Sequence, residues 1–275
     1  MEHILSLSYG KDSLACLGAI EQLGWPLDRI VHTEVWATDT IPADLPPMAA
    51  FKARADEVIK KRWGIEVEHY CAERNGRRQS YEDVFYRKVS DEALERRKLN
   101  PNFRPVGRLE IYGFPAALKG SWCVSEIKVD PLKKHRDRED VTYLGITADE
   151  PERSHILSPT YRSPLIELGW SEADCRKWCE DNDLLSPIYA SSSRGGCWFC
   201  HNQSVGQLRS LRQKYPQLWS LMLKWDMDSP VSFRPDGHTV LDFDRRFQME
   251  DEGYIVPGEP FRWKMLDAEL NVRFF

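Results

Sequence analysis

The run Ser8-Tyr9-Gly10-Lys11-Asp12-Ser13 packs two hydroxyls, a glycine, a lysine and a carboxylate into one turn, with apolar residues on both sides. A strand that enters a glycine-containing turn and opens a helix there is suited to phosphates. Backbone N–H groups point outward, and the helix dipole favours an anion. Gly10 would let the backbone approach a phosphate, Ser8 and Ser13 would donate hydrogen bonds, and Lys11 would add positive charge. Asp12 is the odd member, because a carboxylate repels phosphates. It makes sense as a cap of the loop or as a holder of magnesium between pyrophosphate oxygens. Two further groups carry chemistry. Cys197-Trp198-Phe199-Cys200 can set two thiolates on one metal or form a redox pair, and Cys123, Cys179, Cys175 and His201 are candidates to complete a metal site. Asp149, Glu150 and Arg153 follow a strand and could hold magnesium or orient a substrate; a capped helix start with a local ion pair explains them equally well.

The elements that must position these groups read as follows. Residues 3–8 form a buried strand, and a helix runs from Ser13 until Gly24 and Pro26 stop it. Residues 29–36 are a second strand, 48–63 a helix closed by Gly64, and 65–70 a third strand. Strand, helix, strand, helix, strand within 70 residues implies a parallel sheet. The charged stretch 72–120, with breaks at Asn75-Gly76 and Asn100-Pro101, reads as a lid or insertion with helix over 81–98. Strand character returns at 141–148, a capped helix at 171–183, a glycine- and serine-rich loop at 191–203, and a helical pattern at 205–225. Beyond Pro230 no period stands out. The expected organisation is an α/β domain over 1–203 and a helical extension over 204–275.

The chain has 275 residues, 41% of them hydrophobic and 29% charged, with a net charge of −5. No apolar run approaches the ~20 residues needed to span a bilayer. The start, MEHILSLS, lacks the basic and apolar regions of a secretory signal, so a cytoplasmic location is expected, with reduced cysteines. Charge is uneven: residues 74–138 hold 16 Lys and Arg against 9 Asp and Glu, and the remainder 22 against 34. That balance mildly favours an anionic ligand, whereas the overall charge does not by itself indicate nucleic acid.

The 8–13 run is neither a Walker sequence nor a dinucleotide fingerprint. It resembles the PP-loop of the adenine nucleotide alpha-hydrolase-like ATP pyrophosphatases, usually Ser-Gly-Gly-x-Asp-Ser, with Tyr9 in place of the first glycine. Further along, Trp122-Cys123 with Lys128, Gly145-x-x-x-Asp149-Glu150-x-x-Arg153, Trp170-Ser171-Glu172-x-Asp174 leading to Cys179, and Cys197-x-x-Cys200 occur in the order of the phosphoadenosine phosphosulfate reductase-like family. The likeness covers about 3–36 and 120–203. It implies a HUP/Rossmann-like α/β fold with ATP bound by Ser6, Ser8, Tyr9, Gly10, Lys11, Asp12, Ser13, Lys128 and Arg153. Lys11, Asp12, Asp149 and Glu150 would be catalytic, with Mg2+. It further implies that Cys123, Cys179, Cys197 and Cys200 converge on an iron–sulfur cluster (4Fe-4S) or zinc.

The activity so implied is adenylation of an oxygen on a nucleobase, nucleic acid or small metabolite, with pyrophosphate released and sulfur as the incoming atom. ATP, an anionic or carbonyl substrate and a sulfur-donor protein are the expected partners. Alternatives are a nucleotide-binding regulatory component with a structural metal, or a sulfonucleotide-reductase-like enzyme. The last lacks its usual late nucleophile, because no cysteine follows Cys200.

Overall fold

Ile4 and Leu5 of β1 (His3–Ser6) and Ile30 and Val31 of β2 (Arg29–Glu34) are almost fully buried, the mark of strands covered on both faces. The computed structural model describes residues 1–104, 107–115, 121–190 and 195–264. With β3 (Val67–Cys71), β6 (Val141–Tyr143) and β7 (Tyr161–Arg162), these strands make a five-stranded sheet in the order β3-β2-β1-β6-β7. Every pairing in it is parallel. Helices α1 (Lys11–Leu23), α2 (Pro46–Trp63), α7 (Pro164–Leu168) and α8 (Glu172–Asp181) flank the sheet, giving a Rossmann-like α/β fold. Gly24 and Gly64 end α1 and α2 in the left-handed conformation, as their positions foretell.

The chain moves outward from β1 through β2 to β3, then returns to the other side of β1 with β6. That reversal opens a crevice beyond the carboxyl ends of β1 and β6, where open α/β sheets bind ligands. Two close approaches hold α1 against its neighbours. A Cβ on Gly145 would lie 2.7 Å from the Ser13 amide nitrogen, so only glycine lets the loop after β6 press on the first turn of α1. A Cβ on Gly18 would lie 2.2 Å from Trp178 Nε1, so the Trp178 ring of α8 packs directly on the backbone of α1.

Two compact units partition the described chain: residues 1–82 with 122–198, and residues 83–121 with 199–275. The expected division is 1–203 and 204–275; this partition groups the segment from 83 with the C-terminal part. Residues 73–78 of the expected insertion instead form a small hairpin, β4 (Glu73–Arg74) and β5 (Arg77–Arg78), within the first unit. The expected helix 81–98 is two helices, α3 (Tyr81–Phe85) and α4 (Asp91–Lys98). The segment before β6 is α5 (Trp122–Val124), a π-helical turn (Ser125–Val129) and α6 (Asp130–Lys134). In the second unit the expected 205–225 helix breaks at Pro216 into α9 (Val205–Lys214) and α10 (Pro216–Asp228). A further helix, α11 (Val240–Asp251), starts at a capping box of Thr239 and Asp242, in a stretch where no period stands out. Phe85, Phe114, Trp225, Phe233 and Phe247 fill this unit's core. No helix among the described residues is long and apolar enough to cross a membrane.

Candidate functional site

A cleft of about 1140 Å³ lies in the first unit, lined by the loops that follow β1, β2 and β6. Of the residues expected to bind ATP, Ser6, Ser8, Tyr9, Gly10, Lys11, Asp12, Lys128 and Arg153 line it. Ser13 does not. Its hydroxyl donates to the Gly10 carbonyl (3.0 Å), accepts from the Ser8 amide (3.1 Å) and meets the Ser8 hydroxyl (3.0 Å). It staples the turn rather than facing the space.

The turn's amides divide into two sets. The Ser8, Gly10 and Lys11 N–H groups already have acceptors, namely Ser13 Oγ, Ser8 Oγ at 3.4 Å and the Tyr189 hydroxyl at 3.0 Å. The amides of Tyr9, Asp12 and Ser13 have no acceptor among the described residues. These three are the donors left for an anion at the start of α1.

Gly10 is not the strained member of the loop. Its φ is −73°, and a Cβ there would make only ordinary contacts. The left-handed residue is Tyr9, at φ 56°, where the PP-loop pattern has glycine. A bulky residue in this conformation costs on the order of 1–3 kcal/mol and persists only when its surroundings hold it. The surroundings do so: the ring is fully buried, edge-on to His32 at 4.7 Å, with the Lys52 ammonium 5.2 Å from its centre. The Tyr9 hydroxyl donates to Asp56 of α2, and burial, with Asp56 second, pushes its pKa upward.

From Tyr9 a polar network runs across β2 and β3. His69 lies 3.1 Å from Asp56 Oδ2 and 3.1 Å from Glu34 Oε1, and those two hydrogen bonds raise its pKa to about 9. His69 in turn lowers Glu34 to about 2. His32 must donate from Nδ1 to the Leu7 carbonyl (2.8 Å), so its Nε2 accepts from Lys52 (2.9 Å). Burial, then the neighbouring Lys52, lower His32 to about 3, which keeps it neutral. Lys52 also pairs with Asp44. His32, Asp44 and Lys52 line the cleft; sequence reasoning found none of them, because their spacing carries no signal until β2 and α2 are brought together.

Lys11 is nearly buried and sits 2.9 Å from both Asp12 and Glu172. Burial works against its charge, but the two carboxylates prevail and its pKa is raised. Asp12 is raised by burial, with Lys11 opposing. Asp149 does not line the cleft; its carboxylate caps α8 by accepting from the Glu172 amide at 3.1 Å. Glu150 accepts from Thr147 and from Arg153 (2.9 Å), an ion pair at the cleft's rim. The local-pair explanation of these residues therefore describes much of what they do. Glu172, a member of the matched pattern not singled out as a site residue, is the carboxylate that reaches Lys11.

Of the four expected ligand cysteines, Cys179 is a core residue. Cys179 is fully buried in the sheet's core cluster, its thiol donating to the Lys11 carbonyl at 3.3 Å, and burial pushes it up to about 12. A metal ligand must be a thiolate. Cys197 lines the cleft, Cys123 is half-buried, and Cys200 belongs to the second unit. Among the described residues no three Cys, His, Asp or Glu side chains are grouped to hold a metal ion. Cys179, a buried thiol that donates to a carbonyl, does not fit a thiolate ligand, and no step below uses a four-cysteine site. Asp12, beside the turn, does fit a magnesium ion that takes most of its ligands from phosphates and water.

No family model matches the chain, and neither a curated protein nor a solved structure does.

Proposed function

We propose that the cleft binds ATP with its phosphates at the start of α1 and cleaves it between the α and β phosphates, adenylating a carbonyl or carboxylate oxygen of a second substrate. What carries the reading is the position of the turn. The first crossover's helix N-terminus, the acceptor-free amides of Tyr9 and Asp12 and a buried lysine meet at the sheet's reversal point, on residues that line the cleft. The substrate oxygen attacks the α phosphorus, the bond to the β-phosphate oxygen breaks, and that oxygen leaves with the electron pair as pyrophosphate. Lys11 and the amides of Tyr9 and Asp12 stabilise the charge that develops there. Asp12 and Glu172 orient Lys11, and Asp12 would hold the magnesium that neutralises the phosphates. The adenylated oxygen is then a good leaving group for a sulfur nucleophile delivered by a donor protein.

A second reading, a regulatory component that binds ATP without cleaving it, draws on the two carboxylates that already occupy Lys11. Isothermal titration with ATP and a pyrophosphate-release assay separate the two. Lys11→Ala should weaken ATP binding about 10–100-fold, the worth of a charge-assisted hydrogen bond. Wild-type affinity in Lys11→Ala and Asp12→Ala would remove the site assignment. Binding without pyrophosphate, with any oxygen acceptor tried, would favour the regulatory reading.

A further inference from the structure

The hairpin Glu73–Arg78 has no part in the chemistry above. Asn75 and Gly76 both take the left-handed conformation, at φ 54° and 71°, as a two-residue turn between antiparallel strands requires. Its two cross-strand pairs are unlike. Glu73 stands opposite Arg78, a complementary pair, while Arg74 stands directly opposite Arg77. Like charges set against each other destabilise a ladder. All six residues are exposed, so packing does not offset that repulsion. Neither Arg74 nor Arg77 has a hydrogen-bond or ion-pair partner among the described residues.

So short a hairpin is not stable alone and must be held from outside. Arg78 lies 3.7 Å over the Trp36 ring and donates to the Asp39 carbonyl. Lys134 donates to the Glu73 carbonyl at 3.4 Å. Trp36 and Lys134, which hold the hairpin, each follow a cleft-lining residue in the chain, Val35 and Lys133. Arg78 and Lys134 thus tie the hairpin to the two segments, after β2 and in α6, that also carry cleft residues. Strand alternation puts Arg74 and Arg77 on the opposite face from Arg78, toward solvent. Lys133, exposed at the rim, is likewise without a partner among the described residues.

We infer that Arg74 and Arg77 form a clamp for the backbone of a single-stranded nucleic acid, with Lys133 taking a second phosphate where the strand turns into the cleft. Two guanidinium forks side by side suit one phosphodiester, whose charge removes their mutual repulsion. A small anion at so exposed a pair would gain little against water and salt. A polyanion gains from each counterion it releases on several cations, and Arg74, Arg77 and Lys133 offer three exposed ones. An unpaired strand is required because a base whose oxygen is to react must leave its stack. The inference names the substrate class for the proposed ATP chemistry and rests on that reading for its reaction, though not for its binding.

The test is fluorescence anisotropy with labelled 20-nucleotide RNA and DNA single strands and a 20-base-pair duplex, without ATP, from 50 to 200 mM KCl. The wild-type chain should bind a single strand more tightly than the duplex. Arg74→Ala/Arg77→Ala should bind at least tenfold more weakly at 50 mM KCl, with a salt slope smaller by about 0.7 for each phosphate no longer neutralised. Its thermal midpoint should not fall, because a repulsion has been removed, and its ATP affinity should be unchanged. Lys60→Ala/Lys61→Ala on α2, an equal change of charge elsewhere, should bind strands as the wild type does. No strand binding at 50 mM KCl, a double variant within twofold of wild type, an equal loss in the α2 control, or a preference for the duplex would each overturn the inference. Strand binding by a wild-type chain that shows no ATP binding in titration would sink the ATP reading and leave the clamp standing.

Discussion

The two units handle buried charge in opposite ways. In the helical unit, Asp226 is almost inaccessible and fully engaged: it accepts from Arg104 at 3.2 Å and from the Val240 amide at 3.1 Å, capping α11. Asp244 is likewise met by Trp219 Nε1 (2.7 Å) and Arg212 (3.0 Å). In the α/β unit, Lys11 and Asp12 of α1, His32 of β2 and Lys52 of α2 are equally well paired, yet they line an open cleft. Closed networks hold elements in place. Networks that reach open space can exchange a partner for a ligand.

The comparison breaks most severely at Asp226. Asp226→Ala would leave Arg104 without its carboxylate and α11 without its cap, and should cost about 3–5 kcal/mol in denaturant unfolding. Loss of ATP affinity without loss of stability there would show that the closed network is not structural. Gly145→Ala comes next. Its Cβ meets the Asp12–Ser13 backbone, and overpacking of this kind costs about 1–3 kcal/mol, so the melting temperature and ATP affinity should fall together. Tyr9→Phe keeps the ring and removes one buried hydrogen bond, leaving Asp56 short of a donor; a loss of about 1–3 kcal/mol is expected.

The smallest effect is a pH dependence. His69 is raised to about 9, so its contribution to stability is complete below its unfolded pKa of about 6.5 and is lost as pH rises through 9. Glu34 is lowered to about 2 and remains charged throughout that window. Thermal melts from pH 6 to 10 should show an alkaline decline that His69→Gln flattens. An identical decline in the variant would place its cause elsewhere.

Much of the first unit is legible from spacing alone. Gly24 and Gly64 mark the ends of α1 and α2, Ser171 with Asp174 marks the start of α8, and the apolar runs at 3–6 and 29–34 mark buried parallel strands. These are local signals with local causes. Thr239 with Asp242 is the same kind of signal and announces α11 equally well, although the charged helix behind it hides the period. The site was legible only where it is local: the 8–13 turn could be read as a unit. His32, Lys52, Asp56 and His69 could not, since 37 positions separate the first from the last and only the β2–β3 pairing and the packing of α2 bring them together. Cys179 shows the converse. Its place in a motif suggested a ligand, and its helical face, turned toward α1, makes it a core thiol.

Tyr9 has a consequence beyond the turn it occupies. Its backbone is kept in an unfavourable region by a side chain whose hydroxyl ends on α2 and whose ring abuts β2. An arriving nucleotide would thus find the receiving surface rigid beforehand, and little of its binding energy would go into shaping it. The same arrangement makes the cleft answerable to residues that never touch its contents: a substitution at Asp56, on the far end of that hydroxyl, would be felt as slack in the loop.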